Sequence, residues 1–301
     1  MSLSLPGLRA LALIPALLAL PAFAQSALTI PTAQGEVEVA GANRVAVMDV
    51  PAIDSMAALG VAPAGVPERL YVDYLDEAIA GAKPVGTLFE PDLEALARFA
   101  PDLIVVGGRS VAQRDALAQV APVIDMSIGP DVLGDTRARL AAYGTLFGKA
   151  ERAAELTAAL DDRLAALARA GEGSGRAMVV LTNGSKMSAY GKGSRFGWIF
   201  EATGLEEAAP GLKLDTHGAA ISHEFIAEAN PDWLFVIDRG AAVGEGGASA
   251  RATLDTPLVA ATNAWKAGQV VYLDPASLYI AGGGYTAMTR AIDQLTGALA
   301  K

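Results

Sequence analysis

Short apolar runs alternate with segments of helical period along most of this chain. Residues 44–50, RVAVMDV, read as a buried strand, and AIDSMAALG (52–60) follows as a short helix stopped by Gly60, since glycine takes the left-handed conformation of helix ends at least steric cost. EPDLEALARFA (90–100) predicts a helix with Pro91 in its first turn. Pro101 ends it ahead of the strand DLIVVGG (102–108), and ALAQVAPVIDM (116–126) adds a further helix and strand. Residues 149–170, KAERAAELTAALDDRLAALARA, contain no Gly or Pro and set Leu156, Leu160, Leu164 and Leu167 on one stripe, a helix of ~33 Å at 1.5 Å per residue. GEGSG (171–175) stops it, and the alternation restarts. AMVVLTN (177–183), DWLFVID (232–238) and GQVVYLD (268–274) read as strands, GWIFEATG (197–204) and SHEFIAEAN (222–230) as helices, the latter capped by Ser222. Alternation of this kind specifies mainly parallel sheets with flanking helices. The expected architecture is therefore α/β with two lobes, residues 25–148 and 171–301, joined by the long helix 149–170.

The two halves repeat a sentence. PDLIVVGGR (101–109) and PDWLFVIDR (231–239) share Pro-Asp, an apolar run and a terminal Arg, each after a short acidic helix. Stereotyped helix-to-strand turns account for the shared punctuation; they leave the arginines unexplained. In open parallel sheets ligands bind beyond the carboxyl ends of the strands, where Arg109 and Arg239 both fall, one in each lobe. Arg195 in SAYGKGSRFGWIF lies at the beginning of the following helix, where backbone N–H groups and the helix dipole favour an anion. The competing reading of each is an arginine that caps a neighbouring strand or pairs with a surface carboxylate.

Charge sharpens this. The first 24 residues, MSLSLPGLRALALIPALLALPAFA, carry one positive charge, an apolar run broken by Pro15 and Pro21, and AFA ahead of Gln25. They read as a cleaved signal peptide, so the expected location is the periplasm, with the mature chain soluble. Removing them subtracts only Arg9 and leaves 22 basic against 33 acidic residues, a balance of −11. That balance argues against nucleic acid and anionic membranes as partners. The absence of cysteine excludes disulfides and thiolate metal sites.

Catalytic patterns are missing. GKGSRFG lacks the spacing of a phosphate-binding loop, GEGSG follows a helix rather than a strand, and there is no Gly-x-Ser-x-Gly elbow. The two histidines, His217 and His223, form no metal-binding motif. His223, in the first turn of a capped helix, is expected to be solvated, whereas His217 sits in a loop from which it could reach a ligand. An enzyme is not expected.

Taken together, RVAVMDVPAIDSMAALGV, VGTLFEPDLEALARFAPDLIVVGGRS, KMSAYGKGSRFGWI, HGAAISHEFIAEANPDWLFVIDR and NAWKAGQVVYLDP resemble the siderophore-binding proteins of ABC-type iron importers, over roughly Gly35 to Lys301. These are clamshell proteins with a rigid interlobe helix; SAYGKGSRFG and HGAAIS narrow the resemblance to the iron–catecholate subgroup. The resemblance implies a monomer that binds an iron(III)–siderophore complex as transported ligand, holds no permanent cofactor and delivers its load to a membrane permease. It implies that Arg109, Arg195 and Arg239 hold the chelate, that Tyr190 and Lys192 line the pocket, and that His217 and Tyr279 complete the coordination of a four-donor chelate. The loop DPASLYIAGGG departs from the subgroup's pattern at Leu278, and Tyr285 is the alternative to Tyr279. Haem, cobalamin or a hydroxamate chelate on the same fold is the other ligand reading. Physically, a tris-catecholate of iron(III) carries a charge near −3 that three guanidiniums can match. Each contributes a Coulomb attraction of roughly 3 kcal/mol per unit charge at ~5 Å and an effective dielectric of ~20.

Overall fold

The computed structural model describes residues 27–212 and 217–300; the signal peptide expected over 1–24 lies outside them. A hairpin, β1 (Leu28–Thr32) and β2 (Gly35–Val39), precedes the first lobe. That lobe is built on five parallel strands, β3 (Val45–Val47), β4 (Gly65–Val66), β5 (Lys83–Pro84), β6 (Leu103–Val106) and β7 (Val123–Asp125), in the order β5-β4-β3-β6-β7. The second sheet comprises β8 (Arg176–Asn183), β9 (Lys186–Tyr190), β10 (Glu206–Glu207), β11 (Ala219–Ile221), β12 (Trp233–Asp238) and β13 (Val270–Tyr272). Its order is β11-β9-β8-β12-β13, with β10 beside the first residues of β8.

The second sheet is mixed, unlike the first. β8, β10, β12 and β13 pair in parallel, but β8 turns through Gly184 and Ser185 directly into an antiparallel β9, to which β11 is also antiparallel. Gly184 has φ +58°, a conformation open to glycine at little cost.

Both sheets are covered on both faces at their centres, which is why their central strands are apolar runs rather than alternating ones. Val45, Val47, Leu103 and Val105 enter one core and Ala46, Met48, Ile104 and Val106 the other. In the second sheet Val179, Leu181, Phe235 and Ile237 face one way and Met178, Val180, Leu234 and Val236 the other.

Of the helices among the described residues, eight position the site and join the lobes: α1 (Val50–Ala58), α2 (Leu93–Phe99), α3 (Val132–Leu146), α4 (Ala150–Gly171), α5 (Trp198–Thr203), α6 (His223–Ala229), α7 (Arg239–Val243) and α8 (Tyr285–Leu299). α2 starts after Asp92, whose carboxylate accepts from Ala95 N–H; Pro91 therefore precedes the helix instead of occupying its first turn.

The repeated Pro-Asp has a structural cause. α2 and α6 each end in a left-handed residue, Ala100 at φ +49° and Asn230 at φ +42°. A proline that cannot continue the helix follows each, and then the aspartate turns back on the neighbouring strand. Asp102 accepts from Asn43 and Arg44 N–H at 2.8 and 3.0 Å, and Asp232 accepts from Arg176 N–H at 2.9 Å. Each carboxylate thus satisfies N–H groups at the entry to a central parallel strand.

Among the described residues three helices tie the lobes, α3 with Val132 in the second core and Leu140 and Tyr143 in the first. On α4, Leu156 packs into the first lobe's core while Leu160 and Leu167 pack into the second's. α8 does the same, with Ala287 in the first core and Met288, Ile292 and Leu295 in the second. Its N-terminus is capped from the other lobe: Asp54 of α1, fully buried, accepts from Thr286 and Ala287 N–H at 2.6 and 3.0 Å and from Tyr74 Oη at 2.7 Å. Burial pushes the Asp54 carboxyl up to about 6, while these donors favour its ionised form.

Candidate functional site

Each arginine named from the sequence is aimed by a short, locally fixed turn. β6 ends at Val106, and the chain turns through Gly107 and Gly108 before Arg109. Buried Ser110 fixes that turn by donating to Met48 O at 2.8 Å and accepting from Gly107 N–H at 3.1 Å. Arg239 is the first residue of α7, and Asp238 before it caps the helix by accepting from Ala241 N–H.

Arg195 precedes α5 by three residues. The donors expected there for an anion are mostly occupied: Gly197, Ile199 and Phe200 N–H already bond to Ser194, Phe196 and Gly197 carbonyls. What Arg195 offers is its guanidinium, 4.7 Å from the Phe196 ring centroid.

The three converge on Tyr279, in a π-helical turn at Ala276–Ile280. Arg109 and Arg195 both donate to the Tyr279 carbonyl, Arg195 at 3.2 Å, and Arg109 also donates to Ile280 O at 3.1 Å. Arg239 Nε donates to Tyr279 Oη at 3.2 Å. The guanidinium carbons lie 5.6, 5.0 and 5.8 Å from the tyrosine ring centroid, within cation–π range.

Around this hub lies a cleft of about 860 Å³ with walls from both lobes. Asp49, Tyr71, Phe89 and Arg109 line it from the first lobe, and Arg195, Phe196, Trp198, His217, Arg239 and Tyr279 from the second. Burial lowers the pKa of Arg109 and Arg195, and for Arg195 the charge of Arg109 adds to the effect. Both stay protonated, because guanidinium pKa values start above 12, so an entering anion would relieve a real cost. Arg239 is raised instead, chiefly by its bond to Glu245.

The structure separates the remaining candidates. His217 lies exposed on the cleft lining, on the second lobe's side. Tyr190 is buried, edge-on to Phe196 at 4.8 Å between ring centroids, with Gly218 against its ring; it supports the wall that carries Arg195 and does not line the cleft. Lys192 points outward, exposed, its N–H bound to Glu207. The cover on both faces of the sheet puts Tyr190 inside, and the loop's turn puts Lys192 outside. Tyr285 begins α8 at the lobe junction, away from the cleft lining, with its N–H bonded to Ser55 Oγ. His223 is half-buried, and beside its solvent contact its Nε2 donates to Thr253 O at 2.8 Å.

Asp49, Tyr71, Phe89 and Trp198 were not singled out as site residues. Asp49 had a readable signal, the Asp-Val-Pro of a helix start, and it does cap α1 through Ala52 N–H. A Cβ at Gly107 would overlap its carboxylate, so glycine lets the β6 turn close over it. Burial raises Asp49 to about 6, against the opposing pull of Ala52 N–H and the charge of Arg109. Among the described residues no group of three or more His, Cys, Asp or Glu is placed to hold a metal, and no helix is long and apolar enough to cross a membrane.

Two opposed lobes, a bridging helix and a cationic cleft between them define a solute-binding protein. The chain belongs to the periplasmic binding protein family, which it matches over residues 45–277. It is 33% identical over 267 residues to the petrobactin-binding protein YclQ of Bacillus subtilis, covering 86% of this chain and 83% of that one. To the ferric-anguibactin-binding protein FatB of Vibrio anguillarum it is 30% identical, covering 84% and 81%. The crystal structure of YclQ superposes with a TM-score of 0.86 over 92% of this chain and 99% of that one, at 30% identity. The structure of VctP, a periplasmic catecholate-siderophore binding protein of Vibrio cholerae, does so at 0.84 over 90% and 100%, also at 30% identity. The fold is the two-lobed one of periplasmic binding proteins.

Proposed function

We propose that this protein captures an iron(III)–siderophore complex of catecholate type in the periplasm and hands it unchanged to an ABC permease. The observation that carries this reading is the convergence of Arg109, Arg195 and Arg239 on one aromatic-walled cleft. Guanidiniums pair with catecholate oxygens and stack on catechol rings, whereas a neutral hydroxamate chelate would leave them without a charge to match. The names of YclQ, FatB and VctP point the same way.

On this reading residues 1–24 are removed on export, and the protein works as a monomer without catalysis or a resident cofactor. His217 and Tyr279 supply donors to iron when the siderophore brings only four, as a hard cation accepting phenolate oxygen and tolerating imidazole. Exposed Glu90 and Glu224, one on each lobe, offer carboxylates to basic residues of the permease.

Trp198 on the cleft wall supplies the reporter. Titration with an iron(III) catecholate should quench tryptophan fluorescence with a Kd in the nanomolar range, about −12 kcal/mol, and the triple alanine variant of the arginines should bind far more weakly. Binding indifferent to all three changes overturns the proposal. For iron ligation the readout is the charge-transfer band of a four-donor chelate, which should change when His217 or Tyr279 is replaced.

A further inference from the structure

The three arginines are not equivalent. Arg109 and Arg195 rest on neutral main-chain carbonyls, which leaves their positive charge uncompensated by those contacts. Arg239 is already ion-paired: its Nη1 lies 2.7 Å from Glu245 Oε2, with Asn183 Oδ1 at 3.3 Å. The pairing is built by the backbone. α7 ends at Gly244 with φ +68°, and Glu245 N–H returns to Gly240 O at 2.9 Å, which folds residue 245 back over the first residue of the helix. Glu245 itself lines the cleft and keeps a half-exposed side chain, 55% accessible, followed by Gly246 and Gly247.

Among the described residues that line the cleft, guanidiniums number three and carboxylates two, Asp49 and Glu245, a formal balance of +1. That is not the complement of a trianion. An iron(III) chelate with four catecholate oxygens carries 3 − 4, or −1, and one with six carries −3.

We propose that Glu245 is a specificity-determining residue, a counter-anion carried by the protein that competes with the ligand for Arg239 and biases the cleft toward chelates of low negative charge. The inference rests on the anion-binding reading of the cleft. Its physical basis is that repulsion between Glu245 and a bound chelate scales with the chelate's charge at a given separation, so a trianion is penalised three times as strongly as a monoanion. The glutamate also has somewhere to go, since its side chain is solvent-accessible and glycines follow it.

The test compares two iron(III) complexes of defined charge, a tripodal tris-catecholamide (−3) and a linear bis-catecholamide (−1), titrated by tryptophan quenching at low salt. Glu245→Gln keeps a carbonyl acceptor for Arg239 and removes only the charge. It should tighten the trianion about tenfold and the monoanion about twofold, the cube root that charge scaling requires. At 1 M salt, where the screening length is about 3 Å, the difference between the two ligands should collapse, which a packing effect would not do. An equal gain for both complexes, no gain for either, or a difference that survives high salt overturns the proposal. If the unaltered protein binds neither complex, the reading of the cleft fails and this inference with it.

Discussion

Asp49 sits among charges that decide how it titrates: Arg109 beside it, Asp125 and Arg139 behind it. Its carboxyl is raised to about 6, so the folded protein holds a proton there that the unfolded chain would release near 4. The sign follows. The contribution of this group to stability is present below about 4 and is lost as pH rises through 6. In the cleft the same ionisation adds a negative charge beside Arg109. Affinity for an anionic chelate should therefore fall about fivefold between pH 5 and 7.5 relative to Asp49→Asn, which keeps the helix cap but cannot ionise. Comparing the two proteins at each pH cancels the chelate's own protonation. At Tyr279, phenylalanine removes one hydrogen bond to Arg239 and the phenol oxygen while leaving the carbonyl that holds Arg109 and Arg195. A six-donor complex should lose no more than about tenfold in Kd, the worth of one hydrogen bond, whereas a four-donor complex should also lose its phenolate charge-transfer band.

At the level of elements, the two Pro-Asp turns make a prediction about folding and not about binding. Asp102→Ala and Asp232→Ala each withdraw an acceptor from N–H groups at a strand entry, at a cost of about 1–2 kcal/mol. Denaturant midpoints should fall while chelate affinity per folded molecule stays unchanged. These elements were legible because strands covered on both faces must be apolar runs and because Pro-Asp is local grammar. The antiparallel β9 was not read as an element of its own: KMSAY is not an apolar run, its direction depends on the two-residue turn at Gly184, and no pattern within the strand reports its partner. Arg109 and Arg239 were found because a strand's carboxyl end is a position along the chain. Asp49 and Glu245 were overlooked because what matters in them is which cation they meet across space; Lys192 stands exposed because the loop turns it outward, which its nearness to Tyr190 along the chain does not report.

At the scale of the whole molecule, the lobes are joined by more than the long helix. α4 and α8 each place apolar side chains in both cores, and Asp54 binds the start of α8 from the opposite lobe. Closure around a ligand should therefore be a slight adjustment of packed helices, with distances between spin labels on the two lobes shifting by no more than about 2 Å on binding. Asp54→Ala leaves two helix N–H groups and a tyrosine hydroxyl without their acceptor; it should cost about 3 kcal/mol in thermal unfolding and broaden that distance distribution. The anchor of Arg109 and Arg195 is equally structural, because the oxygen they share at position 279 belongs to the main chain. Every amino acid supplies that oxygen. Position 279 can thus change identity over evolutionary time, trading its phenol for another group, while two of the three cations keep their aim: the cleft's lining can be re-specified one codon at a time without re-aiming them.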